Sequence, residues 1–116
     1  SSELAEVWTK PADVGALVWR ERAFEVVLDG VWISGVFDRV VIWLDPKQRP
    51  ARAVVYDFKT DRNVAPDLSI AAERHSEQIE LYRQVLAVLT GLGMDKIGAE
   101  VVFTGLGRKV RVGKHS

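Results

Sequence analysis

Short runs rich in β-branched and aromatic residues fill the first half of the chain, and a helical period replaces them in the second. Residues 18–28 read as a first strand, and Asp29-Gly30 after them is a two-residue signal for a tight hairpin. Residues 31–43 read as a second strand, in which Gly35 marks a bulge or a place of close approach. A turn-rich stretch, 44–51, leads into a third strand over 52–59, so the three make an antiparallel meander. Residues 60–69 form a polar loop around Pro66. The one strong helix is expected over 70–89, with Ser69 as its N-cap and Gly91 and Gly93 as its stop. Its apolar stripe is Ile79, Tyr82, Val85, Leu86 and Leu89. Residues 97–103 supply a fourth strand, and 109–112 allow a fifth. Residues 1–16, interrupted by Pro11 and Gly15, read as a short helix and a turn. The pattern predicts an α+β fold in one domain: a mixed sheet with a three-strand meander and a long helix against one face.

Within that frame the chemistry gathers at two strand ends. Asp38 closes the run Gly35-Val36-Phe37-Asp38, and Asp57-Phe58-Lys59 closes the third strand. If the hairpin is symmetric about its turn, positions 38 and 57 face each other, and two opposed carboxylates destabilise a sheet. A cation between them relieves that repulsion. Lys59 shares the face of Asp57 because strand side chains alternate with period two. On the same face stand Val36, Val40 and Ile42 beside Asp38, and Ala53 and Val55 beside Asp57. Buried carboxylates need partners. Two acids, a lysine and water around Mg²⁺ meet that need, since Mg²⁺ binds through one or two carboxylates and keeps several waters. The backbone carbonyl of Phe58 is a further candidate ligand. Such a centre suits phosphodiester hydrolysis, with Lys59 orienting the attacking water or stabilising charge on the phosphate.

The helix adds Gln78-x-x-x-Tyr82, with His75 one turn earlier; helical geometry puts His75, Gln78, Tyr82 and Leu86 on its apolar face. Gln78 there needs hydrogen-bond partners, and the acid–lysine cluster or a substrate phosphate offers them. Each residue also has a plainer reading. Asp57 pairs with Lys59, and Asp38 with Arg39 or another base; Gln78 is solvated, Tyr82 is core, and His75 is a partly exposed helix-start residue. Glu21 and Glu25, four apart on the first strand, share a face, from which either acid approaches the neighbouring strand; Glu25 reads equally as a solvated residue. The tryptophans at 8, 19, 32 and 43 read as sheet packing, because no basic residues interleave them as in a base-stacking platform.

Composition narrows the classes. The 116 residues are 47% hydrophobic and 28% charged, which is globular composition. There is no cysteine, hence no disulfide or thiolate site, and no apolar run nears the ~20 residues of a membrane span. A soluble, cytoplasmic protein is the expectation. The formal net charge is zero, unlike a domain that grips nucleic acid by itself, and this favours a module that receives its substrate from a neighbouring domain. The opening Ser-Ser-Glu, without an initiator Met, suggests a piece of a longer polypeptide.

Four ordered motifs now stand together: Arg20-Glu21-Arg22-Ala23-Phe24, Gly35-Val36-Phe37-Asp38-Arg39-Val40, Val55-Tyr56-Asp57-Phe58-Lys59-Thr60-Asp61 and Gln78-Ile79-Glu80-Leu81-Tyr82. Over residues 20–104 the chain resembles the RecB/AddA-type nuclease domain of the PD-(D/E)xK superfamily, found at the C-terminus of bacterial helicase–nucleases that process DNA double-strand ends. The resemblance implies a restriction-endonuclease-like core and a bacterial, cytoplasmic, Mg²⁺-dependent exonuclease in recombinational repair, with Mn²⁺ able to substitute. It implies single-stranded DNA delivered by helicase domains of the same chain or complex. It makes Asp38 and Asp57 metal ligands, Lys59 the catalytic lysine, and Gln78 and Tyr82 the motif that supports site and DNA; Glu21 matches the family's early glutamate. One departure stands out: the family's metal-binding histidine lies on an upstream helix, and no histidine precedes Glu21. The competing readings are a degenerate, non-catalytic domain of the same fold serving DNA binding or structure, an unrelated α+β interaction domain, and a free-standing endonuclease.

Overall fold

A computed structural model describes residues 15–59, 75–103 and 108–112, the last five by backbone alone. Five strands form one sheet in the order β1-β2-β3-β4-β5. They are β1 (Ala16–Leu28), β2 (Val31–Leu44), β3 (Pro50–Lys59), β4 (Ile97–Phe103) and β5 (Arg108–Val112). Helix α1 (Ser76–Thr90) precedes β4. The meander β1–β2–β3 is antiparallel, β3 and β4 run parallel, and β5 returns antiparallel to β4. The expected α+β architecture is therefore present, including the fifth strand. A parallel pair needs a long crossover, and α1 lies in it.

Local chemistry accounts for the hairpin. Asp29 and Gly30 both take positive φ, 49° and 77°, the backbone of a two-residue turn whose twist matches its strands. Gly35 is a place of close approach rather than a bulge. It pairs in register with Phe24, and a Cβ there would stand 2.8 Å from Phe24 Cζ.

Helix α1 covers one face of the sheet. Ile79, Val85 and Leu86 are fully buried with Val40, Ile42, Val55, Val101 and Phe103. Each such side chain contributes about 1.5–3 kcal/mol relative to exposure. The opposite face buries Val41, Val54, Tyr56 and Val102. Consequently β4 is buried at every position, as expected of a parallel strand covered on both sides. Arg83, also buried, ties the helix to the chain entering β4, donating from Nε to the Ile97 carbonyl (2.9 Å) and from Nη2 to that of Met94 (2.8 Å).

Several expectations need correction. The helix begins at Ser76, with His75 in the preceding turn and no side-chain cap; residues 60–74, with the expected polar loop and the expected cap Ser69, lie outside the described part, as do residues 1–14 of the element expected over 1–16, whose last residue, Ala16, instead opens β1. Leu89 is not in the stripe but 43% exposed, while Arg83 takes a buried place. Trp32 does not pack the sheet; it is 64% exposed on the hairpin. Trp19 and Trp43 do pack, each under an arginine: Arg22 lies 4.6 Å from the first ring and Arg52 3.7 Å from the second. Trp8 falls outside the described residues.

One irregularity positions the site. Along β1 and β2 the pairing runs Arg20↔Arg39, then Arg22↔Phe37, and the rung Glu21/Asp38 between them is missing. Glu21 has φ 47°, a left-handed conformation that is uncommon away from glycine. Alternation changes phase there. Trp19, Val40 and Ile42 contribute to the helix-side core on one side of the break; Phe24, Val26 and Phe37 do so on the other. Val36, expected beside Asp38 on the apolar face, is therefore turned out and 48% exposed, and Phe37 is buried in its stead. By the same change of phase, Glu21 and Glu25 do not share a face.

Candidate active site

The β2–β3 ladder ends at Arg39↔Tyr56. One further step of that register brings Asp38 level with Asp57, as the symmetric hairpin predicted. Strand pairing has stopped at that point, and side chain replaces backbone: the Phe58 N–H donates to Asp38 Oδ2 at 2.7 Å. Asp38 thus closes the end of the ladder with a charge-assisted hydrogen bond. It makes no ion pair among the described residues, so its suggested pairing with Arg39 does not occur; adjacent strand residues face opposite ways.

Asp57 is 5% exposed. Lys59 Nζ lies 3.1 Å from its Oδ2, yet that oxygen has no well-formed hydrogen bond among the described residues. Burial pushes the Asp57 carboxyl above its usual range; Lys59 opposes the shift, and the Asp38 carboxylate adds to it. The two acids therefore feel each other.

The helix completes the group. Gln78 Oε1 accepts from Lys59 Nζ at 3.4 Å, and Gln78 Nε2 donates to Tyr82 Oη at 3.1 Å. Gln78 is exposed rather than core-facing, reaching from the helix rim to the end of β3. Tyr82 is half-buried, edge-on to Phe24 and Phe37 with centroids 5.8 and 5.6 Å away. Burial first, then the Asp57 charge, raises its phenol pKa. Tyr82 is thus both core and site, packed by its ring and bonded by its hydroxyl.

Asp38, Asp57, Lys59, Gln78 and Tyr82 accordingly converge on one point. Phe58 supplies its N–H there; the carbonyl of the same strand residue leaves on the same side, toward β2. Glu21 is exposed and lines a separate cleft of about 250 Å³ with Arg20, Asp38, Arg39 and Phe58. His75 joins no group of three metal-ligating side chains among the described residues.

The pair of acids fits a divalent cation. A buried Asp57 oxygen has unfilled hydrogen-bonding capacity, the second carboxylate lies beside it, and Mg²⁺ asks for no more than one or two.

Sequence reasoning read Arg39 only as a partner for Asp38 and missed its burial beside the site. Arg39 is 3% exposed, with Nε and Nη2 buried and without hydrogen-bond partners among the described residues. Burial, followed by the neighbouring Arg20 charge, lowers its pKa. The available signal was a lone cation directly before the apolar run Val40-Val41-Ile42.

No curated protein matches the chain. A family model described as the PD-(D/E)XK nuclease superfamily matches residues 2–114, almost the full length, and its motif agrees with the Asp57-Phe58-Lys59 strand end. The chain belongs to the PD-(D/E)XK nuclease superfamily.

Proposed function

We propose that this chain is a divalent-metal-dependent deoxyribonuclease module of the RecB/AddA type, an exonuclease that hydrolyses single-stranded DNA delivered by helicase domains at double-strand ends. The observation that carries this reading is the line Asp57–Lys59–Gln78–Tyr82, beside a second carboxylate, at the open end of β3.

In the proposed chemistry Asp38 and Asp57 would hold Mg²⁺, and the Phe58 carbonyl could supply a further oxygen. When bound, the ion supplies positive charge at the phosphoryl oxygen and eases deprotonation of the attacking water. Lys59 donates toward the water or the phosphate charge that develops in the transition state. Gln78 fixes the ammonium by accepting one of its protons, and Tyr82 fixes Gln78 in turn. Asp57 balances the lysine charge until substrate arrives. Glu21 stands outside this relay, on the adjoining cleft.

Degradation of labelled linear single-stranded DNA tests the reading. Hydrolysis should require Mg²⁺ or Mn²⁺ and stop with EDTA, and Asp57→Ala or Lys59→Ala should each lower the rate by about 10²–10³-fold or more. Mn²⁺ should broaden amides at 38 and 57–59 in the native chain and not in Asp57→Ala. Undiminished hydrolysis by Lys59→Ala would remove the assignment. Covalently closed circles distinguish an exonuclease, which spares them, from an endonuclease.

A further inference from the structure

Among the described residues, positive φ outside glycine occurs at Glu21, Asp29 and Gln48. Asp29 and Gln48 lie between strands, in turn segments where such backbone is ordinary. Glu21 takes it inside β1, at φ 47°, with no turn to require it. A backbone held in so sparse a region persists only where its surroundings enforce it, and such positions gather at functional sites. The Glu21 carboxylate offers no reason for it. The residue is exposed, makes no ion pair among the described residues, and joins no group of three metal-ligating side chains among them.

The torsion itself has two consequences. Register is the same on either side of it, Arg20↔Arg39 and Arg22↔Phe37, so no residue is inserted and only the facing changes. Unbroken alternation from Trp19 and Val40 would turn Ala23 and Val36 toward α1. The change of phase puts Phe24 and Phe37 there instead. Both rings meet Tyr82 edge-on; its hydroxyl accepts from Gln78, as Gln78 accepts from Lys59. The same change leaves Asp38 without a ladder partner in β1, at the point where its carboxylate takes the Phe58 N–H. The acid of β2 and the Lys59–Gln78–Tyr82 line thus depend on one backbone angle.

We infer that Glu21 is a positioning residue that acts through its left-handed backbone: it sets Asp38 directly and Lys59 by way of Phe24, Phe37 and Tyr82, while its carboxylate takes no part. This role rests on the nuclease reading above and deepens it, by naming what holds the two arms of that site in register.

The test has two readouts. In the metal-free chain, the nuclear Overhauser contact between the Phe37 and Tyr82 rings and the exchange protection of the Phe58 amide report the arrangement. A Mn²⁺ titration, followed at the amides of 38 and 57–59, reports affinity. Glu21→Gln removes the charge and keeps the length; it should retain both contacts and the native Mn²⁺ affinity. Glu21→Gly accepts positive φ freely; it should retain them too and melt no lower than the native chain. Glu21→Val is β-branched, so this backbone is an outlier for it. It should lose the ring contact and the Phe58 protection, and weaken Mn²⁺ about 10–100-fold, the range for groups that orient metal ligands. Native contacts and affinity in Glu21→Val overturn the role. So does a Glu21→Gln variant that weakens Mn²⁺ as much as Glu21→Val, because the carboxylate then acts. Should Glu21→Val not fold, Glu21→Gly decides: loss of the contacts there overturns the role, and retention supports it. A native chain whose Mn²⁺ site depends on residue 21 in this way but which never cleaves DNA sinks the nuclease reading and keeps the positioning role.

Discussion

The two ends of the β1–β2 hairpin have different surroundings. Toward Ala16 and Leu44 it lies within the full sheet, with β3 alongside and α1 packed over Val40, Ile42 and Val55. Toward Asp29 it runs beyond Asp38 as a two-stranded ribbon, with no third strand paired to it among the described residues. The first region buries apolar side chains on both faces. The second keeps Phe24, Val26 and Phe37 inward and exposes Val27, Val31, Trp32 and Val36. Glu21, Asp38 and Asp57 stand where one becomes the other. Asp38 is placed where backbone pairing ends, because there its carboxylate accepts from a strand donor that no ladder partner takes, the Phe58 N–H.

Substitutions can break or sharpen this contrast. The largest effect is expected at Phe37, which lies fully buried under the junction against Phe24 (centroids 4.6 Å) and Tyr82. Phe37→Ala should cost about 3–5 kcal/mol in denaturant unfolding and lower DNA hydrolysis too, because Tyr82 loses its support. A loss below ~1 kcal/mol would mean that the two regions are not joined through this ring. Gly35→Ala comes next. Its methyl would press on the Phe24 ring, so a destabilisation of about 1–3 kcal/mol is expected, with faster amide exchange over 24–36 and little change around Val55.

The junction itself is expected to be stabilised when its charge is removed. Burial raises the Asp57 carboxyl above the usual carboxylate range. The folded state therefore holds a proton that the unfolded state has released, and stability falls as pH rises from about the unfolded value through the folded one. Metal-free Asp57→Asn should melt above the native chain at neutral pH, and the difference should vanish in acid below the unfolded pKa. A lower melting temperature at pH 7 would mean that the Lys59 contact outweighs burial. Trp32→Ser should be the smallest change, within about 0.5 kcal/mol, as its ring is mostly in solvent; a larger loss would show the ribbon to be packed after all.

These contrasts also mark what the amino-acid pattern could reveal. The meander, the symmetric register and the alliance of Lys59 with Asp57 were legible, because turn residues and alternation act locally. So was the link to Gln78 and Tyr82, through their helical spacing. The exposed Val36 and Trp32 were not. Strict alternation assumes an unbroken strand, and the left-handed Glu21 reverses the phase without a glycine or proline to announce it. Arg83 was hidden for another reason: its acceptors are carbonyls at the start of β4, and only the crossover brings them within reach. Arg39 shows the same limit, since a sequence displays a charge but not that two of its nitrogens are buried without an acceptor among the described residues.

The crossover between β3 and β4 gives the centre an order of assembly. Asp38 and Asp57 ride on a meander closed by short turns, whose contacts are cheap in loop entropy. Gln78 and Tyr82 arrive only with α1, and β3 finds β4 across a separation such as Ala53 to Ile97. Non-local pairing of this kind is the slow part of folding. During synthesis and refolding, the acids therefore meet before the glutamine that holds Lys59 is in place, and the complete cluster is among the last parts of the native structure to form.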